Sequence, residues 1–98
     1  MLDFTDDALS DLRNIRETIA ADNPPLADKK AAEILATCQR IESFPSIGAV
    51  FDGDLRRFSK RPWVILYTET ATGVLVQRVF DSRQNWRALI GMAATNTG

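Results

Sequence analysis

After its first few residues, this 98-residue chain changes the spacing of its apolar residues near Asp54, and this change limits the fold more than any other feature. Before it, apolar residues recur every three or four positions, as they do along one face of a helix. After it, they alternate with polar residues in stretches rich in aromatic and β-branched side chains, which is typical of strands. Because amphipathic helices must bury their apolar faces, we expect the later sheet to supply the layer on which they pack.

Two helices are predicted in the first half of the chain. A short strand at Leu2–Phe4 precedes them, since its apolar residues lie two apart. Thr5 offers the N-cap of a first helix that runs to about Ala21. The Asn23-Pro24-Pro25 segment ends that helix, because proline cannot continue a helix and disfavours helical geometry in the residue before it. A second helix over residues 25–43 then forms an antiparallel hairpin with the first.

Three strands are predicted in the second half, over residues 55–60, 63–69 and 74–81, with a tight hairpin before Gly73. The expected fold class is α+β in the order β-α-α-β-β-β: an N-terminal strand, an antiparallel helical hairpin, then a three-stranded antiparallel sheet. Residues 85–90 can add a short C-terminal helix, and residues 92–98 are expected to fray. We expect the first strand to pair at the edge of the sheet or beside the last strands, and the pattern does not determine which. The length fits a single domain, residues 1–98.

The composition argues against several function classes. No apolar run approaches the roughly 20 residues needed to cross a bilayer, and the acidic N-terminus does not resemble a secretory signal. We therefore expect a cytoplasmic protein without a membrane partner. The single cysteine, Cys38, fits a small core residue in a reducing compartment. The chain has no histidine, hence no imidazole base or histidine ligand, and we expect neither a metal nor a cofactor.

Charge is distributed unevenly along the chain, although the formal net charge is only −1. Residues 1–50 carry five basic and nine acidic side chains, whereas residues 51–98 carry seven basic and four acidic ones. All seven basic side chains of the second half except Arg87 lie within or beside the predicted strands. A small domain polarised in this way is expected to dock by its basic side onto an acidic partner, unless the charges are simply solvated.

Five segments in a fixed order resemble the RelE/ParE superfamily of toxins from bacterial toxin–antitoxin systems. They are Leu2–Ile15, Asn23-Pro24, Phe44-Pro45-Ser46-Ile47-Gly48, Trp63-Val64-Ile65-Leu66-Tyr67 and Gln77–Arg83. The first segment is similar to the family's first strand and its Ala-x-x-Asp-Leu segment, and the second to its break between two helices. The third is similar to its Pro-x-x-Gly loop and the fourth to its aromatic-x-Ile-x-Tyr strand. The fifth is similar to its closing strand, Arg-Val-x-His-x-Arg-Arg-Asp. The likeness extends to about Leu89.

The closing segment departs from the family pattern at three positions. Asp81 stands where the family often has histidine, Gln84 replaces its second arginine, and Asn85 replaces the acidic residue that follows. The chain is also slightly acidic, whereas the branch that cuts messenger RNA is usually strongly basic. These departures favour the ParE branch.

Three functions remain open from the resemblance. The first is a ParE-like toxin that binds DNA gyrase trapped on DNA, is neutralised by a cognate antitoxin and contributes to plasmid stabilization. The second is a RelE-like messenger-RNA endonuclease that acts on the ribosome. The third is a non-toxic member that only binds antitoxin. Oligomeric state is undetermined, and a homodimer or a hetero-oligomer with antitoxin would fit equally.

The candidate residues differ between these functions. A gyrase- or antitoxin-binding toxin would use the basic side chains and one indole of the second half: Arg56, Arg57, Arg61, Arg78, Arg83 and Trp86. A nuclease would need cations at the transition-state phosphate together with an acid and a base, for which Arg61, Tyr67 and Arg83, with Asp81 or Glu69, are available. Tyr67 is better explained as a packed ring with a bonded hydroxyl. Arg78 suggests an ion pair with Glu69 across the hairpin.

Overall fold

The structure, a computed structural model, describes residues 1–83. Its elements follow the order β1 (Leu2–Phe4), α1 (Asp6–Ala20), α2 (Pro24–Ser43), β2 (Ala49–Asp52), β3 (Leu55–Lys60), β4 (Trp63–Thr70) and β5 (Gly73–Asp81). The strands form one sheet in the order β1-β5-β4-β3-β2. The predicted α+β class is confirmed. The expected C-terminal helix, the frayed tail and Trp86 lie outside the described residues.

The helical hairpin begins and turns at side chains that cap its ends. The Thr5 hydroxyl accepts a hydrogen bond from the Ala8 N–H and donates one to the Gln77 carbonyl on β5, which fixes the start of α1 against the sheet. The Asn23 side chain accepts from the Leu26 N–H at the start of α2, where Pro24 occupies the first turn. Neither helix is long and apolar enough to span a membrane.

β1 lies at an edge of the sheet and beside the last strand, as predicted, but the sheet differs from the prediction in two other respects. β1 pairs in parallel with β5, Leu2 opposite Val74 and Phe4 opposite Val76, so the sheet is mixed. β2 is a fifth strand that the sequence does not predict, and it pairs antiparallel with β3 at the opposite edge. Three of its four residues are exposed and its register is interrupted between Val50 and Asp52, so it lacks the alternation that identifies a half-buried strand.

The core has two parts because β4 is buried on both faces. Trp63, Ile65 and Tyr67 face the helices, where they join Ile34, Cys38 and Ile41. Val64 and Leu66 alternate with them and face the other side, with Phe80, Phe51 and Leu55. This double burial explains why residues 63–67 form an uninterrupted apolar run. Trp63 is a core residue, and so is Cys38, as expected for the latter from the sequence.

The edge of β5 is completed by a helix side chain rather than by a strand. β1 covers only the first part of this nine-residue strand. Beyond it, the Asp11 carboxylate on α1 accepts a 2.9 Å hydrogen bond from the Val79 N–H. The same carboxylate accepts two hydrogen bonds from the Arg78 guanidinium, at 2.8 and 2.9 Å. Asp11 therefore joins α1 to the part of β5 that has no neighbouring strand on that side within residues 1–83.

Candidate functional site

Five of the six residues predicted to bind a partner lie within residues 1–83, and these five do not form one continuous surface. Arg56 lies opposite Tyr67 on the helix-facing side of the sheet, and its guanidinium donates a 2.8 Å hydrogen bond to the Gly48 carbonyl. Its neighbour Arg57 lies opposite Leu66 and therefore faces the other side. Arg56 thus holds the loop before β2, whereas half-exposed Arg57 makes no ion pair within residues 1–83.

Arg78 is also a structural residue, and its predicted ion pair with Glu69 is wrong. Its partner is Asp11, as described above, and that hydrogen-bonded contact raises the pKa of Arg78. Its guanidinium carbon also lies 4.6 Å from the centroid of the Phe80 ring. Glu69 lies opposite Val74 near the turn, three positions along β4 from Arg78's partner Leu66. A cross-strand pair between the two was therefore geometrically unfavourable, since diagonal contacts reach only about two residues.

Tyr67 holds the loop that precedes β2. Its hydroxyl donates a 2.7 Å hydrogen bond to the Pro45 carbonyl and accepts a 2.8 Å one from the Gly48 N–H. The side chain is fully buried. Burial raises the pKa of Tyr67, although the Gly48 hydrogen bond and the positive charge of Arg56 act in the opposite direction. A protonated hydroxyl with its donor and acceptor functions engaged is a poor acid or base, which confirms the packed-ring interpretation.

Arg61 and Arg83 are the two predicted cations that the structure brings together. They line one surface cleft of about 380 Å³ with Pro62 and Ser82, where the β3–β4 turn meets the end of β5. The side chain of Arg83 is 77% exposed and forms an ion pair with Asp81. This end of the sheet therefore presents two accessible guanidinium groups, one of them already neutralised in part.

The two carboxylates considered as a nuclease base are unsuited to that role. The hydrogen bond from the Arg83 side chain lowers the pKa of Asp81, which makes this carboxylate a weaker base than usual. Glu69 is at the other end of β4, six residues from Trp63, and strand geometry places it roughly 20 Å from the Arg61 cleft. The Tyr67 hydroxyl is hydrogen-bonded to Pro45 and Gly48 and not to either carboxylate. Arg61 and Arg83 share a cleft, but Tyr67 is not among its lining residues, so the set named for a nuclease is not brought together as a whole within residues 1–83.

An apolar groove runs between the two helices, and no sequence motif marks it. Six apolar residues and two arginines line it: Phe4, Leu12, Ile15, Ala31, Ile34 and Leu35, with Arg13 and Arg16. Its volume is about 390 Å³. Leu35 is 47% exposed. Its neighbours Ala32, Ala36 and Gln39 on α2 are exposed as well. Helical periodicity does place these residues on apolar faces, but it does not tell which of them the sheet leaves uncovered.

Comparisons with known proteins agree with the fold and the motifs. Residues 2–86 match the family described as ParE toxin of type II toxin-antitoxin system, parDE. Toxin ParE3 of Caulobacter vibrioides is 28% identical over 82 residues, which cover 81% of this chain and 82% of that protein. A solved structure described as the chromosomal ParDE TA system from P. aeruginosa has the same fold, with a TM-score of 0.72, 17% identity, and coverage of 82% of this chain and 92% of that one. This chain therefore belongs to the ParE family of toxins from type II toxin–antitoxin systems.

Proposed function

We propose that this chain inhibits growth by binding DNA gyrase, without catalysing a reaction, and that a cognate antitoxin neutralises it in the cytoplasm. The observation that carries the proposal is the engagement of Tyr67, whose buried hydroxyl bonds Pro45 and Gly48 and is not available for proton transfer. The chain has no histidine to take its place. What remains available is a set of accessible cations, which suits binding better than chemistry.

The arginines best placed to contact the target are Arg57, Arg61 and Arg83. None of the three holds a loop or a helix in the way that Arg56 and Arg78 do. Arg61 and Arg83 share a cleft, and Arg57 lies on β3, four residues before Arg61. Guanidinium groups form paired hydrogen bonds with carboxylates and phosphates, so this end of the sheet is suited to an acidic protein surface or to DNA held by the enzyme.

Expression of the chain alone tests the proposal. We expect growth inhibition, with filamentous cells and induction of the DNA-damage response, while protein synthesis continues at first. If the neighbouring reading frame encodes a small DNA-binding antitoxin, its co-expression should restore growth. An early stop of translation with cleaved messenger RNA would instead support the RelE-like alternative. Normal growth despite soluble, folded protein that still binds the antitoxin would support a non-toxic member.

Replacing Arg61 and Arg83 together with alanine should abolish most of the growth inhibition while leaving the fold intact. Loss of charge-assisted hydrogen bonds costs about 1.5–3 kcal/mol each, which lowers target affinity by at least about tenfold. Exposed sites of this kind change stability by about 0.5 kcal/mol, so the melting temperature should move by only a few degrees. The matched control replaces Lys29 and Arg40, two exposed cations on α2, and should remain fully toxic. Equal toxicity of both double variants would place the target-binding surface elsewhere.

A further inference from the structure

The last residue of β5, Asp81, holds the side chain of Arg83 through three hydrogen bonds. Its Oδ1 atom accepts one from the Arg83 backbone N–H and one from Arg83 Nε, both at 2.9 Å, and its Oδ2 atom accepts one from an Nη group. The Asp81 side chain is only 17% exposed, whereas that of Arg83 is 77% exposed. A carboxylate fixed at the end of a strand therefore restrains a guanidinium that extends into solvent.

This contact occupies one side of the Arg83 guanidinium and leaves another side open. Asp81 bonds Nε and one Nη group, and the remaining N–H groups have no acceptor within residues 1–83. The open Nη edge still presents two parallel N–H groups, which is the geometry that binds a carboxylate or phosphate through two hydrogen bonds. Arg83 also lines the cleft that contains Arg61, so the open edge lies where the proposed target contact is made.

We propose that Asp81 is a positioning residue for target binding, which holds Arg83 so that the open edge of its guanidinium binds a carboxylate of the protein target at the Arg61 cleft. The proposal rests on the proposed function. It adds to that function a residue that acts through Arg83, and it gives an acidic residue a favourable role in binding an acidic partner.

The ordering of Arg83 outweighs the negative charge that Asp81 brings. A freely moving arginine side chain loses conformational entropy when it binds, at a cost of up to about three times the thermal energy. Asp81 imposes part of that loss before the target arrives. The opposing effect is repulsion between the Asp81 carboxylate and an anion on the far side of the guanidinium, which in a water-exposed site is on the order of the thermal energy. Removal of the Asp81 charge should therefore weaken binding, although it makes the surface more positive.

A carboxylate on a protein fits this site better than the phosphates of DNA do. The other two residues that line the cleft, Pro62 and Ser82, are uncharged, and Arg61, Arg83 and Asp81 together carry a net charge of +1. One carboxylate balances that charge. Proteins that hold DNA by its backbone usually neutralise several phosphates at once.

Asp81→Asn tests the proposal, because asparagine can still accept the hydrogen bond from the Arg83 backbone N–H but no longer offers two oxygens to the guanidinium. We expect this variant to bind purified, intact DNA gyrase at least about threefold more weakly than the unaltered chain in surface plasmon resonance, with an unchanged melting temperature. The control Asp54→Asn removes the same charge at the opposite end of β3 from Arg61, and it should bind like the unaltered chain. Equal or tighter binding of Asp81→Asn would overturn the proposal.

A double-mutant cycle distinguishes positioning of Arg83 from a general structural role of Asp81. If Asp81 acts through Arg83, then Asp81→Asn should have almost no further effect on gyrase binding once Arg83 is replaced by alanine. A loss as large as in the unaltered background would contradict the positioning role. Repeating the cycle with and without DNA on gyrase identifies the acceptor. A carboxylate contact gives the same Asp81→Asn effect in both, whereas an effect that requires DNA would overturn the carboxylate.

NMR spectroscopy tests the positioning of Arg83 without any target. The Nε–H group of Arg83 should be ordered and exchange slowly with water in the unaltered chain, and Asp81→Asn should remove both properties. Equal order in the two proteins would overturn the proposal and leave the proposed function intact. Growth inhibition without gyrase binding would instead overturn the proposed target, and a positioning role would then require that Asp81→Asn still reduce the inhibition. A chain that neither binds gyrase nor inhibits growth would overturn both.

Discussion

Replacing Tyr67 with phenylalanine is expected to lower the free energy of unfolding by about 2–4 kcal/mol, because the change leaves two polar backbone groups without a partner. The Tyr67 hydroxyl bonds the Pro45 carbonyl and the Gly48 N–H, and its ring is fully buried. Phenylalanine keeps the ring and removes both hydrogen bonds. For a domain of this size the loss corresponds to a fall in melting temperature of at least about 10 °C.

The control is a buried hydroxyl that bonds only within its own helix and holds no loop. Thr37 is 3% exposed, and its hydroxyl donates only to the Glu33 carbonyl one turn earlier in α2. Thr37→Val should therefore cost less than about 1 kcal/mol, because no backbone group loses its only partner. Equal destabilisation of the two variants would mean that Tyr67 does not hold the loop. The experiment also bears on mechanism: at a temperature where Tyr67→Phe is folded, toxicity per folded molecule should be unchanged, whereas a catalytic tyrosine would abolish it.

Replacing Asp11 with alanine is expected to lower the free energy of unfolding by about 3 kcal/mol. Its carboxylate forms the ion pair with Arg78 and also accepts a hydrogen bond from the backbone at the edge of β5. Asp11 and Arg78 have side chains only 12% and 28% exposed, so removal of the carboxylate leaves a half-buried guanidinium without its counter-charge. The Val79 N–H loses its acceptor as well. In chemical denaturation, the denaturant concentration at which half of the protein is unfolded should fall markedly.

An exposed ion pair of the same residue types supplies the comparison. Asp28 and Arg16 are 68% and 61% exposed, and Asp28→Ala should cost less than about 1 kcal/mol. Combining Asp11→Ala with Arg78→Met should recover part of the lost stability, because the unpaired charge is then removed. A double variant less stable than Asp11→Ala alone would show that the methylene stem and ring contact of Arg78 matter more than its charge.

The elements predicted from the sequence are those whose pattern is set by local chemistry. β3 was expected over residues 55–60 and occupies Leu55–Lys60, since Asp54 and the Pro62 turn bound its alternation. The helical hairpin follows in the same way from Thr5, Asn23 and Pro24, which cap or interrupt helices. β2 could not be predicted, because it is a strand only through its pairing with β3, with little buried alternation of its own.

The roles of the arginines depend on contacts that no local pattern contains. Arg56 and Arg57 are adjacent in sequence, but alternation turns one toward Tyr67 and the other away from the helices. Arg78 meets a residue 67 positions earlier, and sequence proximity suggested Glu69 instead. The same long-range packing decides which apolar residues of the helices stay uncovered, so the groove at Leu12 and Leu35 is evident only in three dimensions.

Both borders of the sheet are poor templates for another strand. At one border β1 has only three residues, and beyond it the Val79 N–H of β5 already donates a hydrogen bond to Asp11. At the other border β2 has four residues and an irregular register. Long, regular, unpaired edges are where sheet proteins polymerise with themselves. Short, irregular or capped borders of this kind disfavour fibre-like association through added strands, and within residues 1–83 both borders of the sheet are of this kind.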